Sequence, residues 1–145
     1  MMKMFVDRLL LLSLMLVVLA LLATSAATLW GEALGGSTLM LHMTAGGALV
    51  VGMPLVALWF LRRGVIRQAA NAMLRCGYWL TILTATATII TVFLCMLPLP
   101  STDQMNELME LHGYAGFAMV PAVALFSLAV VRSRRMKLTR SATPG

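Results

Sequence analysis

Charge is what this sequence has least of. Only 11% of its 145 residues are charged, against roughly a quarter in an ordinary soluble domain, while 61% are hydrophobic and the mean hydropathy is +0.93. That balance excludes a water-soluble globule. Chain outside apolar stretches is scarce too: four stretches of about 20 residues, each long enough to cross a bilayer, leave no room for a soluble catalytic domain. Two cysteines are too few for a disulfide framework. Cys76 and Cys95 sit near opposite ends of one apolar stretch, about 28 Å apart on a helix rising 1.5 Å per residue, and so cannot bridge within one molecule. There is no glycine-rich phosphate loop after a strand, no nucleophile with a neighbouring base and no cysteine metal motif, which excludes a self-contained hydrolase or kinase.

What is present reads as an all-α, four-transmembrane-helix bundle in a single membrane domain covering residues 1–145, with both termini cytoplasmic. The expected spans run from about Leu9 to Leu29, Leu39 to Leu61, Gly77 to Leu97 and Leu108 to Val131. The eleven basic residues, Lys3, Arg8, Arg62, Arg63, Arg67, Arg75, Arg132, Arg134, Arg135, Lys137 and Arg140, all fall before span one, between spans two and three, or after span four. The positive-inside rule assigns those segments to the cytoplasm, and it assigns the loops holding Glu32, Asp103 and Glu107, which lack Lys and Arg, to the outside. The net charge of +6 therefore points to cytoplasm and anionic lipid headgroups rather than to nucleic acid. Trp30 at an outer span end, with Trp59, Tyr78 and Trp79 at inner ends, reads as a set of interface anchors. The basic tail 132–145 reads as a cytoplasmic anchor that frays at its end. A rival reading makes the N-terminus a signal peptide, with Lys3 and Arg8, an apolar run and the small residues Ala23 to Ala27 as its cleavage site. Four retained helices complete two equivalent hairpins.

The strongest internal signal is a repeat at an offset of 70. The segment from Leu41 to Val50 aligns with that from Leu111 to Val120, six of the ten pairs being identical. Both segments begin outside-to-inside helices, so the two hairpins are expected to be parallel repeats about an axis along the membrane normal. This places His42 and His112, the only histidines, at equal depth near the outer face. Helices two and four of an antiparallel bundle are diagonal, about 13–14 Å apart if neighbours pack at 9–10 Å, a separation that suits imidazole, iron and imidazole across a porphyrin. An ionisable residue inside a span is a functional hypothesis by default, and bis-imidazole iron needs two histidines facing one space.

Each histidine is followed by Ala and Gly at i+3 and i+4 and by a large apolar residue at i+7: Ala45, Gly46 and Leu49 in one case, Ala115, Gly116 and Met119 in the other. These positions share the histidine's helix face and offer a macrocycle missing side-chain volume beside its ligand and apolar contact beyond. Small residues also simply let helices pack closely, and the histidines could equally form a hydrogen-bonded pair or a proton relay, or act singly as magnesium ligands of a chlorophyll-type pigment. Reachable partners for the second imidazole nitrogens are the Thr38 hydroxyl or carbonyl for His42 and the Leu108 carbonyl for His112. Hydroxyls such as Thr38, Thr44 and Tyr114 could meet haem propionates, since no Lys or Arg lies on that side. Pro54 and Pro121 fall inside spans two and four, where each is expected to kink its helix. The stripe Thr81, Thr84, Thr88 and Thr91 could meet a quinone carbonyl or bond within its own helix.

With its Leu-His-x-x-x-Gly segments at Leu41 to Gly46 and Leu111 to Gly116, set in a four-span bundle, the sequence resembles the integral membrane cytochromes b that form the b-haem subunits of respiratory formate dehydrogenases, hydrogenases and related quinone-linked oxidoreductases. The resemblance implies a multi-pass protein of the bacterial inner membrane, holding haem b between helices. It implies electron transfer between a quinone pool and a redox partner, within a complex of several subunits. With two histidines this chain holds one bis-histidine haem, where di-haem members hold two. The depth of the pair adds the expectation of a partner on the outer face, a periplasmic redox protein. The alternatives are a non-redox structural or assembly subunit and a pigment-binding membrane protein.

Overall fold

An apolar solvent offers no hydrogen bonds, so a chain crossing it must satisfy its backbone internally, and long apolar stretches become helices. In the computed structural model all four do. The structure describes residues 2–31, 34–62 and 72–142. Helix α1 spans Met2–Ser25 and runs into a 3₁₀ turn over Ala26–Trp30; α2 spans Gly36–Arg62, α3 Ala72–Met96 and α4 Thr102–Ala142. Each is long and apolar enough to cross a membrane, which makes this a multi-pass membrane protein by length and composition. Glu32, Arg63 and Arg67 of the expected loops lie outside the described residues. The turn after α1 uses glycine where it is needed, Gly31 having φ of 78° and Gly36 of 55°.

The helices extend past the expected spans, most of all in α4. It starts at Thr102 rather than near Leu108 because Ser101 and Gln104 cap it reciprocally: the Ser101 amide donates to Gln104 Oε1 at 2.9 Å and the Gln104 amide to Ser101 Oγ at 3.4 Å. This Ser-x-x-Gln box satisfies two amides that have no partner inside the helix. At its other end α4 continues through the basic stretch to Ala142, where a frayed end was expected. Its 41 residues amount to about 61 Å at 1.5 Å per residue, twice the roughly 30 Å of a hydrocarbon core. Both α2 and α4 run on through Pro54 and Pro121.

Packing closes a ring. Helix α1 lies against α2 and α4, α3 lies against α4, and α2 touches α3 only slightly; among the described residues the backbones of the diagonal pairs, α1 with α3 and α2 with α4, stay apart, and α2 meets α4 through side chains alone. Side-chain bonds fix the direction of each hairpin. Early in α1, Asp7 meets Trp59 late in α2, while Thr24 at the end of α1 meets His42 early in α2. In the second hairpin Thr91 late in α3 meets His112 of α4. The hairpins are therefore antiparallel, and Arg8, Arg62, Arg75 and Arg132 gather at one end of the bundle, the histidines toward the other.

The core runs from Ala45 and Leu21, beside the histidine end, to a cluster of large aromatic rings at the other. Phe60 and Phe126 meet edge to face with ring centres 5.1 Å apart, and Tyr78 packs on Phe126 at 5.8 Å. Outward-facing Leu16, Val51, Leu55 and Leu128 are all more than half exposed, as a surface meeting lipid rather than water requires. Helix α3 approaches α4 closely at Gly77, where a Cβ would stand 2.9 Å from both the Cα and the N of Phe126. Backbone cannot give way as a side-chain tip does, so the helices need glycine there. Gly77→Leu is expected to cost about 1–3 kcal/mol, the usual penalty of overpacking, read as a lowered unfolding midpoint of the detergent-solubilised protein. An unchanged midpoint would contradict this crossing.

Candidate functional site

His42 and His112 come together. Their helices are diagonal, yet both side chains turn into the space between them, ring centres 6.4 Å apart and planes at 75°. Two imidazoles bound opposite one another on one metal need nearly this spacing: metal–nitrogen bonds of about 2.0 Å and about 1.1 Å from nitrogen to ring centre give roughly 6.2 Å. Among the described residues no cluster of three or more His, Cys, Asp or Glu exists. The pair can therefore supply two imidazole nitrogens to a bound group, and among the described residues no further His, Cys, Asp or Glu joins them.

The second nitrogen of each ring is held, and by neighbouring helices. His42 Nδ1 lies 2.9 Å from Thr24 Oγ1 and 3.3 Å from Ser25 Oγ, both on α1. His112 Nδ1 lies 3.1 Å from the Thr88 carbonyl oxygen and 3.2 Å from Thr91 Oγ1, both on α3. Metal-binding histidines characteristically have one nitrogen tied to such an oxygen while the other faces the metal. Among the described residues Nε2 of neither ring has a hydrogen-bond partner.

These partners differ from those expected. Thr38 is exposed and makes no bond to His42, and the Leu108 carbonyl makes none to His112, because the end of α1 and the threonine edge of α3 press against the rings from the side. Both histidines also lie further along their helices than expected, six residues after Gly36 and ten after Thr102. Tyr114 is 69% exposed; two residues past His112, it is about 200° round the helix and faces away from the pair, which removes it from the site. Thr44 bonds back to the Met40 carbonyl at 2.8 Å.

The other expected residues share the histidines' faces. Leu49 and Met119 are buried, as is Ala45, and they floor the space on the core side. Gly46, Ala115 and Gly116 are half-buried, and a Cβ built on Gly46 or Gly116 would meet nothing within 4 Å. Both glycines thus stand one turn below the rings, and neither has a close neighbour; the same lack of neighbours holds at Gly47, Gly52 and Gly113. The shallow cleft of about 350 Å³ lined by Leu99, Pro100, Gln104, Glu107, Leu108 and Leu111 lies elsewhere, on the α3–α4 turn, and includes neither histidine.

Thr81, Thr84, Thr88 and Thr91 each donate to the carbonyl four residues back, at 2.7, 2.8, 2.8 and 2.9 Å. Their hydroxyl protons are thus engaged inside α3, and of the stripe only its end near Thr88 and Thr91 reaches the histidines. At the far end of the bundle the Trp59 indole N–H donates to Asp7 Oδ1 at 2.7 Å, with Asp7 only 6% exposed. Sequence reasoning passed over Thr24, Ser25 and Asp7. For Asp7 a signal existed, since it is the only acid among the basic end segments.

No protein-family model, curated protein or solved structure matches the chain.

Proposed function

We propose that this protein is a membrane-embedded b-type cytochrome subunit, in which His42 and His112 would together hold one haem. The observation that carries the reading is the pair itself: two imidazoles with ring centres 6.4 Å apart, each tied at Nδ1 by an adjacent helix and, among the described residues, without a partner at Nε2, the nitrogen that would hold the group. Ala45, Gly46 and Leu49 on one side and Ala115, Gly116 and Met119 on the other would border the macrocycle, the glycines giving it room and the large residues keeping water from the core side. Haem, when bound, supplies one-electron redox chemistry. The chain's own work is to orient two imidazoles and to hold them in apolar surroundings.

The gathered arginines favour the cytoplasm for their end of the bundle by the positive-inside rule, and with that orientation the histidine end would lie at the outer face of a bacterial inner membrane. Electron transfer there, between a quinone pool and a periplasmic redox protein within a larger complex, is the role that fits. A second reading has its own support: edge-to-face rings also pack at about 4.5–7 Å without any metal, as they would in a structural or assembly subunit.

Right-side-out vesicles carrying the protein, stripped of partners, separate these readings when mixed with a membrane-impermeant reductant. Rapid appearance of reduced b-type bands is expected. No haem bands in either state would leave the packing reading standing, and reduction only after the vesicles are opened would reverse the orientation.

A further inference from the structure

The two histidines are held by different kinds of oxygen. The Thr88 carbonyl oxygen near His112 can only accept, so Nδ1 of His112 carries the proton and Nε2 the lone pair. Thr91 Oγ1, which donates to the Ala87 carbonyl at 2.9 Å or that of Thr88 at 3.0 Å, also presents a lone pair to the ring. Among the described residues His42 has no carbonyl partner. Its main contact, Thr24 Oγ1, has one proton, and the carbonyls of Ala20 and Leu21 at 2.8 and 3.0 Å both lie in reach of it. With its proton turned into α1, the Thr24 oxygen accepts from Nδ1–H of His42, and Ser25 Oγ at 3.3 Å supports it.

We infer that Thr24, backed by Ser25, is a positioning residue that fixes the tautomer and ring orientation of His42, and that α1 thereby sets how strongly this one ligand donates to a bound haem. The inference rests on the haem reading for its redox consequence but not for the tautomer. An accepting oxygen on Nδ1–H raises the basicity of the other nitrogen, and a stronger axial donor favours ferric iron. Side-chain substitution can remove the acceptors of His42 but leaves the backbone acceptor of His112 in place. The two ligands are therefore unequally sensitive, although the residues around them repeat.

The full chain in detergent tests this through four forms: wild type, Thr24→Val with Ser25→Ala, Thr24→Ser with Ser25→Ala, and Thr91→Val. With haem bound, the Val/Ala form is expected to show a higher midpoint potential and shifted low-spin electron paramagnetic resonance g-values, while the Ser/Ala and Thr91→Val forms stay at wild type. Unchanged potential and g-values in the Val/Ala form would overturn the inference. Should that form lose haem altogether, full haem and wild-type potential in the Ser/Ala form support the need for a hydroxyl at position 24, and equal loss there refutes it. Nitrogen-15 spectra of histidine in the haem-free chain separate the two levels. Both rings of the wild type are expected to be protonated at Nδ1, with His42 alone moving toward the Nε2–H form in the Val/Ala variant. An Nε2–H His42 in the wild type would overturn the positioning role with or without haem, whereas correct tautomers in a chain that never binds haem would end only the haem reading.

Discussion

Replacing either His42 or His112 by alanine is expected to empty the site. Loss of a supporting hydrogen-bond partner typically costs a metal site about 10–100-fold in affinity, and loss of an axial ligand removes the metal–nitrogen bond itself, so haem content should fall by at least that factor. The effect should be similar at both positions, because no other histidine exists to substitute and no cluster of alternative ligands lies among the described residues. Helix content should persist, since the core of Phe60, Phe126, Tyr78 and Leu74 lies away from the rings. Wild-type spectra in both variants would refute the ligand assignment. Retention in one alone would leave a single axial histidine.

The second large effect concerns the glycines. A Cβ at Gly46 or Gly116 has nothing within 4 Å, so a leucine there starts into open space and the apoprotein should lose far less stability than with leucine at Gly77. The same side chain would occupy the volume assigned to the macrocycle, with an overpacking penalty of about 1–3 kcal/mol falling on haem binding; at about 1.4 kcal/mol per factor of ten, affinity drops by roughly 5- to 150-fold. Gly77→Leu should behave in the opposite way, losing stability because Phe126 backbone lies in its path. Full haem content in Gly46→Leu and Gly116→Leu would show that these glycines face lipid instead.

The helices were legible because apolar stretches in a chain so poor in charge admit no other fold, and the shared faces of Ala45, Gly46 and Leu49 and of Ala115, Gly116 and Met119 followed from helical spacing. The histidine partners were not legible. Sequence spacing reaches only residues of the same helix, which is why Thr38 and Leu108 stood out, while the oxygens that bind the rings come from the helices beside them. The repeat gave no help, for at its offset of 70 Thr91 aligns with Leu21, three residues before Thr24. The same role is played one turn apart on α1 and α3, so the likeness of α2 to α4 does not extend to their neighbours. The early start of α4 was written in Ser101 and Gln104, but a hydropathy reading begins at the first apolar residue and misses a polar capped turn. Gly77 appeared only as a span boundary, because what makes it necessary is the backbone of α4.

The central claim, that two histidines on diagonal helices hold one haem, is tested most directly by the pyridine haemochrome of the purified full-length protein, measured against protein concentration. One non-covalently bound protohaem per chain, with reduced b-type bands in the native spectrum, is the result expected. A well-folded preparation with no haem, or one whose extracted pigment is a magnesium chlorin, would contradict it.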